Sequence, residues 1–269
     1  MSRKHFSILL VLAVTATVAV LLLVPGQTGR DPGAGEALLL PGAAGWINDV
    51  ARVTVQHGED QVTLERSGDA WQVAELQGYP ADWSRLRGVL GSLAEARVIE
   101  RKTDNPDYYD RLGVEDPSGE NSGGVLLRLE HGAESKALVV GKTASSGTGQ
   151  YVRWLHEARS ALIDQALDVP RNAVDWARRE IIDIPSSDVA EVEIIHPDGD
   201  WIRAEKKDAG DTDFLLSSLP EGREVASSWS VNSLGGALSA LRMDDVQPAG
   251  AIDEASAIRF RLLTFGGIE

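Results

Sequence analysis

Two stretches of this chain spell nearly the same pattern. Asp49-Val-Ala-Arg-Val-Thr-Val-Gln-His57 aligns with Asp188-Val-Ala-Glu-Val-Glu-Ile-Ile-His196, with five of nine positions identical and Val55 against Ile194 a conservative sixth. Each is followed by a turn, Gly58-Glu59-Asp60 in one and Pro197-Asp198-Gly199-Asp200 in the other, and then by renewed alternating sequence. A second anchor, Leu90-Gly-Ser-Leu93 against Leu238-Ser-Ala-Leu241, follows at a larger spacing. The offset grows from 139 to 148 residues, which places nine extra residues between the anchors, in the polar Lys206–Asp213 stretch. Self-similarity of this kind restricts the chain to two tandem copies of one structural unit.

Each copy reads as an antiparallel β-meander followed by a helix. Val53 and Val55, Val62 and Leu64, and Trp71 and Val73 alternate with polar residues, the period-2 pattern of half-buried strands. Ser67-Gly68-Asp69 supplies a turn. Pro80-Ala81-Asp82 then starts a helix with Leu86, Val89, Leu90 and Leu93 on one face. The second copy repeats the order with Val192 and Ile194, Trp201–Ala204, Phe214–Leu216 and a helix near Asn232–Arg242. The first copy continues through a strand at Arg97–Lys102 and a turn or short helix at Asp104–Leu112. Further strands are expected at Val125–His131, Lys136–Val140, Gln150–Leu155 and Ala161–Asp164, with a helical connector over Gln165–Glu180 interrupted at Pro170. The expected fold class is α+β. Copy one with its connector occupies residues 46–180 and copy two residues 181–269. The second stops just after the strand Ala257–Phe265, where the first continues past His131-Gly132. It therefore reads as incomplete, with Ala257–Phe265 as an edge strand.

Ahead of the repeats, Phe6–Val24 is 19 residues without a charge. As a helix it spans about 28 Å at a rise of ~1.5 Å per residue, close to a ~30 Å hydrocarbon core. Arg3, Lys4 and His5 precede the run and no basic residue follows until Arg30, so residues 1–24 read as a cytoplasmic tip and transmembrane signal anchor. The alternative is a cleaved signal peptide. The run is long for one, and Leu22-Leu23-Val24-Pro25-Gly26 offers no small-x-small cleavage site. Residues 25–45, rich in Gly and Pro over Pro25–Gly35, read as a tether. The expected location is the cytoplasmic membrane, single-pass, with the N-terminus cytoplasmic and the bulk extracytoplasmic.

The formal net charge of −15 then divides unevenly, because both bases of the first 24 residues lie on the cytoplasmic tip. The rest carries 41 acids against 24 bases, or −17. Such a balance argues against nucleic acid, whose phosphates need neutralising, and favours a domain held off an anionic membrane surface. With no cysteine in the chain, disulfides, thiolate catalysis and Cys-ligated metal are all excluded.

No residue pattern assigns a catalytic, cofactor or metal site. Gly141-Lys142-Thr143 follows a strand, yet a phosphate loop needs glycine where Lys136 stands, and the loop runs on into a strand at Gln150. His57, His131, His156 and His196 share no ligand spacing. Asp104-Asn-Pro-Asp-Tyr-Tyr-Asp110 lacks the ordering of an EF-hand. No G-x-S-x-G occurs, and Ser145-Ser146 reads as a flexible turn. Seven tryptophans, Trp46, Trp71, Trp83, Trp154, Trp176, Trp201 and Trp229, lie outside the apolar run. The strand residues Trp71 and Trp201 are expected to fill the two cores.

Several of these features resemble the bacterial family called domain of unknown function 4340. They are the N-terminal anchor, Trp71-Gln-Val with Tyr79-Pro-Ala-Asp82 and its leucine-rich helix, Tyr109-Asp-Arg-Leu-Gly113 with Asp116-Pro117, Leu138-Val-Val-Gly141, and Tyr151-Val-Arg153. The resemblance implies no catalytic residue. It implies association with gene clusters for ABC transporters of the gliding-motility-auxiliary type. The expected function is therefore a non-enzymatic accessory protein with a membrane partner, possessing no cofactor. The alternative is a module that binds or hydrolyses cell-wall carbohydrate.

Overall fold

The computed structural model describes residues 37–119, 122–145, 147–217, 222, 224–251 and 253–269. The apolar run Phe6–Val24 lies outside them. Among the described residues no helix is long and apolar enough to cross a membrane. The chain is α+β, dominated by antiparallel sheet with few and mostly short helices.

The alternating segments become strands where the sequence places them. β1 (Arg52–His57), β2 (Asp60–Ser67) and β3 (Ala70–Val73) form two hairpins closed by the two-residue loops Gly58-Glu59 and Gly68-Asp69. The leading glycine of each loop has φ near +60°, 61° at Gly58 and 63° at Gly68, as a type II′ turn requires. β4 (Tyr79–Pro80) leads into α1 (Trp83–Glu95), where the Asp82 carboxylate accepts the Arg85 backbone N–H at 3.1 Å and caps the first turn. β5 (Val98–Arg101) follows, then the single-turn helix α2 (Tyr109–Leu112). β6 (Val125–His131), β7 (Glu134–Thr143), β8 (Gln150–Trp154) and β9 (Ser160–Ile163) complete a nine-stranded sheet ordered β4-β3-β2-β1-β6-β7-β8-β9-β5.

One face of this sheet meets the Leu86, Val89, Leu90 and Leu93 stripe of α1 in the main core. The other face of β6 and β7 is covered as well. Leu126 and Val139 pack there with Tyr109 and Val114, which is why these two strands read as continuous apolar runs instead of alternating ones. Beyond β9 the connector forms only one helical turn, α3 (Ala173–Trp176), in place of the expected longer helix. Its Trp176 is fully buried in the main core and donates from Nε1 to the Pro170 carbonyl at 2.9 Å. The expected tether also ends earlier than residue 45. Leu39, Leu40 and Ala43 are buried in the same core, and Leu38 bridges Arg97.

A second sheet follows β10 (Glu180–Ile182). β11 (Val189–Ile195), β12 (Trp201–Glu205), β13 (Leu215–Leu216) and β15 (Arg259–Thr264) take the order β13-β12-β11-β15. Between them lie α4 (Ser228–Gly235) and β14 (Leu241–Arg242), the latter paired with β10. A smaller core of Val189, Val192, Ala204, Phe214, Val231 and Leu262 joins α4 to this sheet.

The registers of the two sheets correspond. Val53 pairs with Leu64 and Leu129, and Val192 pairs with Ala204 and Leu262. Arg66 N–H donates to the Ala51 carbonyl and Lys206 N–H to that of Ala190, both at 2.9 Å. In each case a lead-in segment pairs with the residues after the helix, Leu38 with Arg97 and Glu180 with Arg242.

Two expectations for residues 181–269 need correction. The second helix spans Ser228–Gly235, not Asn232–Arg242. Gly235-Gly236 ends it, and the following residues bend back so that Ile184 N–H bonds the Leu238 carbonyl at 3.0 Å and Asp183 accepts Ala240 N–H at 2.8 Å. Leu238-Ser-Ala-Leu241 is therefore a turn entering β14, and the helix residues Val231 and Leu234, with Leu238, pack where Leu86, Val89 and Leu93 do in the first copy. Trp201 is the second correction. It is 49% exposed on the outer face of β12, while Phe214, two residues before the strand partner of Ala204, fills the place held by Trp71 in the first copy. Gly235 stands at the helix position of Leu90 because the Phe214 ring already occupies that space.

Candidate functional site

The polar clusters singled out in the sequence separate once the chain folds. Lys142 donates from Nζ to the Asp110 carbonyl at 2.8 Å, with its stem against Gly113, so it clasps α2 to β7. His57 lies 3.0 Å from the Gly124 carbonyl through Nδ1 and 3.0 Å from the Arg171 guanidinium through Nε2. A carbonyl can only accept and a guanidinium only donate, so these partners suit donation from Nδ1 and acceptance at Nε2. His131 stacks on Trp46 with ring centroids 4.5 Å apart, and His156 is exposed near Trp154. His196 sits at the β11–β12 turn of the other sheet. Among the described residues no group of three or more His, Asp or Glu is placed to hold a metal ion. Ser145 is exposed in a turn, and Ser146 lies outside the described residues.

Two acids of the Asp104–Asp110 stretch, Asp104 and Asp110, are engaged in local structure. Asp104 pairs with Arg159 at 2.8 Å, and the hydrogen bond from that guanidinium holds its carboxyl below the usual range. Asn105 and Asp110 accept backbone N–H groups of Asp107 and Arg111. Further on, Asp116 is also lowered, first by the Ser118 backbone N–H and then by the Ser118 hydroxyl. A lowered native carboxylate contributes stability at pH values above its unfolded pKa, and that contribution is lost as pH falls through the folded value. The expected NMR titration midpoint of Asp116 lies below an ordinary aspartate, and Ser118→Ala moves it part of the way back. An unchanged midpoint would show that the hydroxyl does not act on this carboxylate.

The tryptophans show where side chains converge on open space. Trp71 and Trp176 are buried, Trp46 and Trp154 pack partly against the main core, and Trp83, Trp201 and Trp229 are exposed. Trp83 lies nearly parallel to Trp71, at 12° with centroids 6.5 Å apart. Together they line a cleft of about 450 Å³ whose floor includes Val50 and Leu90. Trp83, Arg87, Gly91 and Glu95 form one wall, spaced four residues apart along a single ridge of α1. Asn48, Arg66 and Asp69 form the other, from the β1 lead-in, the end of β2 and the β2–β3 turn. Sequence reasoning missed these polar residues. The four-residue spacing from Trp83 was visible, but the opposite wall comes from distant segments.

A larger cleft, about 530 Å³, lies between residues 37–41 and the β5, β8 and β9 strands. Its buried Arg153 is committed to structure, donating to the Val114 carbonyl at 2.8 Å and the Glu157 carbonyl at 3.1 Å with its guanidinium over the Tyr109 ring. On the outer face of the small sheet, Glu193 lies between Arg203 at 2.6 Å and Arg261 at 3.9 Å. Trp201 and Leu263 border this ionic row, and Trp229 of α4 is 76% exposed.

The fold and its clefts define an α+β protein of antiparallel sheets carrying surface grooves. The chain belongs to the family described as Domain of unknown function (DUF4340), whose model matches residues 71–260. The match begins at Trp71, so it leaves out β1 and β2, and runs through α1 and the α2 turn with its Gly113 cap to the start of β15. No curated protein and no solved structure matches the chain.

Proposed function

We propose that this chain is a non-enzymatic exported interaction protein, anchored in the inner membrane by Phe6–Val24 with its N-terminus cytoplasmic. Its two tandem α+β copies dock on a membrane transport complex of the ABC type. One observation carries the reading. Ten of the fifteen exposed large hydrophobic side chains among the described residues fall between Trp201 and Ile268. Exposed apolar side chains are what a contact with another molecule covers, and here Trp201 and Leu263 lie on the outer face of the small sheet and Trp229 on α4. The matching registers of the two sheets support a duplication in which the first copy serves as the stable platform. The family's association with gliding-motility-auxiliary transporter clusters supports the choice of partner.

The test is photo-crosslinking in the native host, with the crosslinker placed at Trp229 or Leu263 in the intact chain. Adducts to a transporter membrane subunit are expected from these positions and none from Ile99 or Tyr108, exposed on the first copy. Absence of adducts, or equal adducts from all four positions, would remove the reading.

A further inference from the structure

We propose that the cleft lined by Trp71 and Trp83 binds a neutral saccharide unit. This goes beyond the docking role and uses a different surface. Trp83 offers about half of its surface to solvent, 51%, while the near-parallel Trp71 behind it is buried and supports it. A supported indole loses little freedom on binding, and its face suits the C–H face of a pyranose ring.

The rim has the mixed character that sugar hydroxyls need, since each hydroxyl both donates and accepts. Arg66 and Arg87 supply donors, Asp69 and Glu95 supply acceptors, and Asn48 supplies both. The two bases and two acids cancel, so the rim selects against a strongly charged ligand. Arg66 is already held by the Asn48 carbonyl at 2.9 Å and the Gly68 carbonyl at 3.2 Å. Its remaining N–H groups are left pre-positioned. The cleft volume of about 450 Å³ falls in the range of small-ligand sites. A peptide fits less well, because β3 at the floor pairs on both sides with β2 and β4 and offers no free edge for strand addition.

Gly91 provides a test that leaves folding intact. A Cβ there meets no heavy atom within 4 Å, so a side chain at position 91 starts in open space on the cleft wall, and Gly91→Gln is aimed to fill it. Replacing a mid-helix glycine removes a local conformational cost, so its melting temperature is expected to hold or rise. The full chain, purified in detergent, is applied to an array of neutral and amino sugars and soluble peptidoglycan fragments. The strongest hit is then titrated calorimetrically. Trp83→Ala is expected to weaken binding about tenfold, Gly91→Gln to abolish it, and Trp229→Ala to leave it unchanged. No retained glycan, or retention equal in all variants, overturns the proposal. So does competition by free stem peptide as effective as by the glycan, which would make this a peptide site. Loss of the transporter crosslinks from Trp229 and Leu263 would leave this result standing, since neither residue lines the cleft.

Discussion

Trp176→Ala is expected to destabilise the protein by about 3–5 kcal/mol, the cost of deleting a fully buried aromatic side chain. Trp176 is the largest side chain with no exposed surface, although it belongs to a connector. It enters the same core as α1 and the large sheet, and its backbone carbonyl accepts the Asp82 N–H at 2.7 Å, at the residue that caps α1. The substitution therefore leaves a cavity, orphans the Pro170 carbonyl and loosens the start of the helix. Against a total stability of roughly 5–15 kcal/mol, the loss is severe. Urea unfolding of the full chain measures it, with Trp229→Ala as an exposed control expected within about 0.5 kcal/mol of wild type. A loss below about 1.5 kcal/mol would show that the connector is not integral to the core.

Gly141→Ala comes second, at about 1–3 kcal/mol for a side chain forced into filled space. A Cβ at Gly141 would collide with the Leu112 carbonyl and stand 2.7 Å from Val114 Cγ1 and 2.9 Å from the Gly113 carbonyl. Two of the three obstacles are backbone and cannot rotate away, so the α2 turn would have to lift off β7. Lys142→Ala removes only the contact to the Asp110 carbonyl and a stem packed on Gly113, a loss of about 1 kcal/mol. Thermal melts should therefore rank Gly141→Ala well above Lys142→Ala. Saturable nucleotide binding that Lys142→Ala removes would contradict the structural role assigned to Gly141-Lys142-Thr143.

Much of the fold was legible because its determinants are local. The alternation of Val53, Val55, Val62 and Leu64 predicts one face of β1 and β2, and all four are buried there. The Asp82 cap with the Leu86–Leu93 stripe predicts α1. Trp201 shows where locality fails. It alternates as well as Trp71 does, yet it is 49% exposed on the outer side of β12, and Phe214, just ahead of β13, takes the interior place. Leu238 and Leu241 mimic the spacing of Leu90 and Leu93, so local spacing sets the second helix too far along the chain. The bonds from Ile184 N–H to the Leu238 carbonyl and from Ala240 N–H to the Asp183 carboxylate are long-range events that no window around those leucines contains. The candidate cleft was legible in part. Trp83, Arg87, Gly91 and Glu95 share a helix ridge, but Asn48, Arg66 and Asp69 reach it only through the β1–β2–β3 meander.

The sequence by itself determined the α+β class, the strands and helix of the first copy, and the kinship seen in Trp71-Gln-Val and Tyr109-Asp-Arg-Leu-Gly113. Each of these depends on side-chain period and turn chemistry within a few residues. Only the tertiary structure decided that Trp176 plugs the core, that Trp201 faces solvent, and that two arginines and two acids frame an indole pair. Burial and convergence depend on which distant segment arrives opposite. That is fixed by strand register and sheet order, and no local pattern carries it.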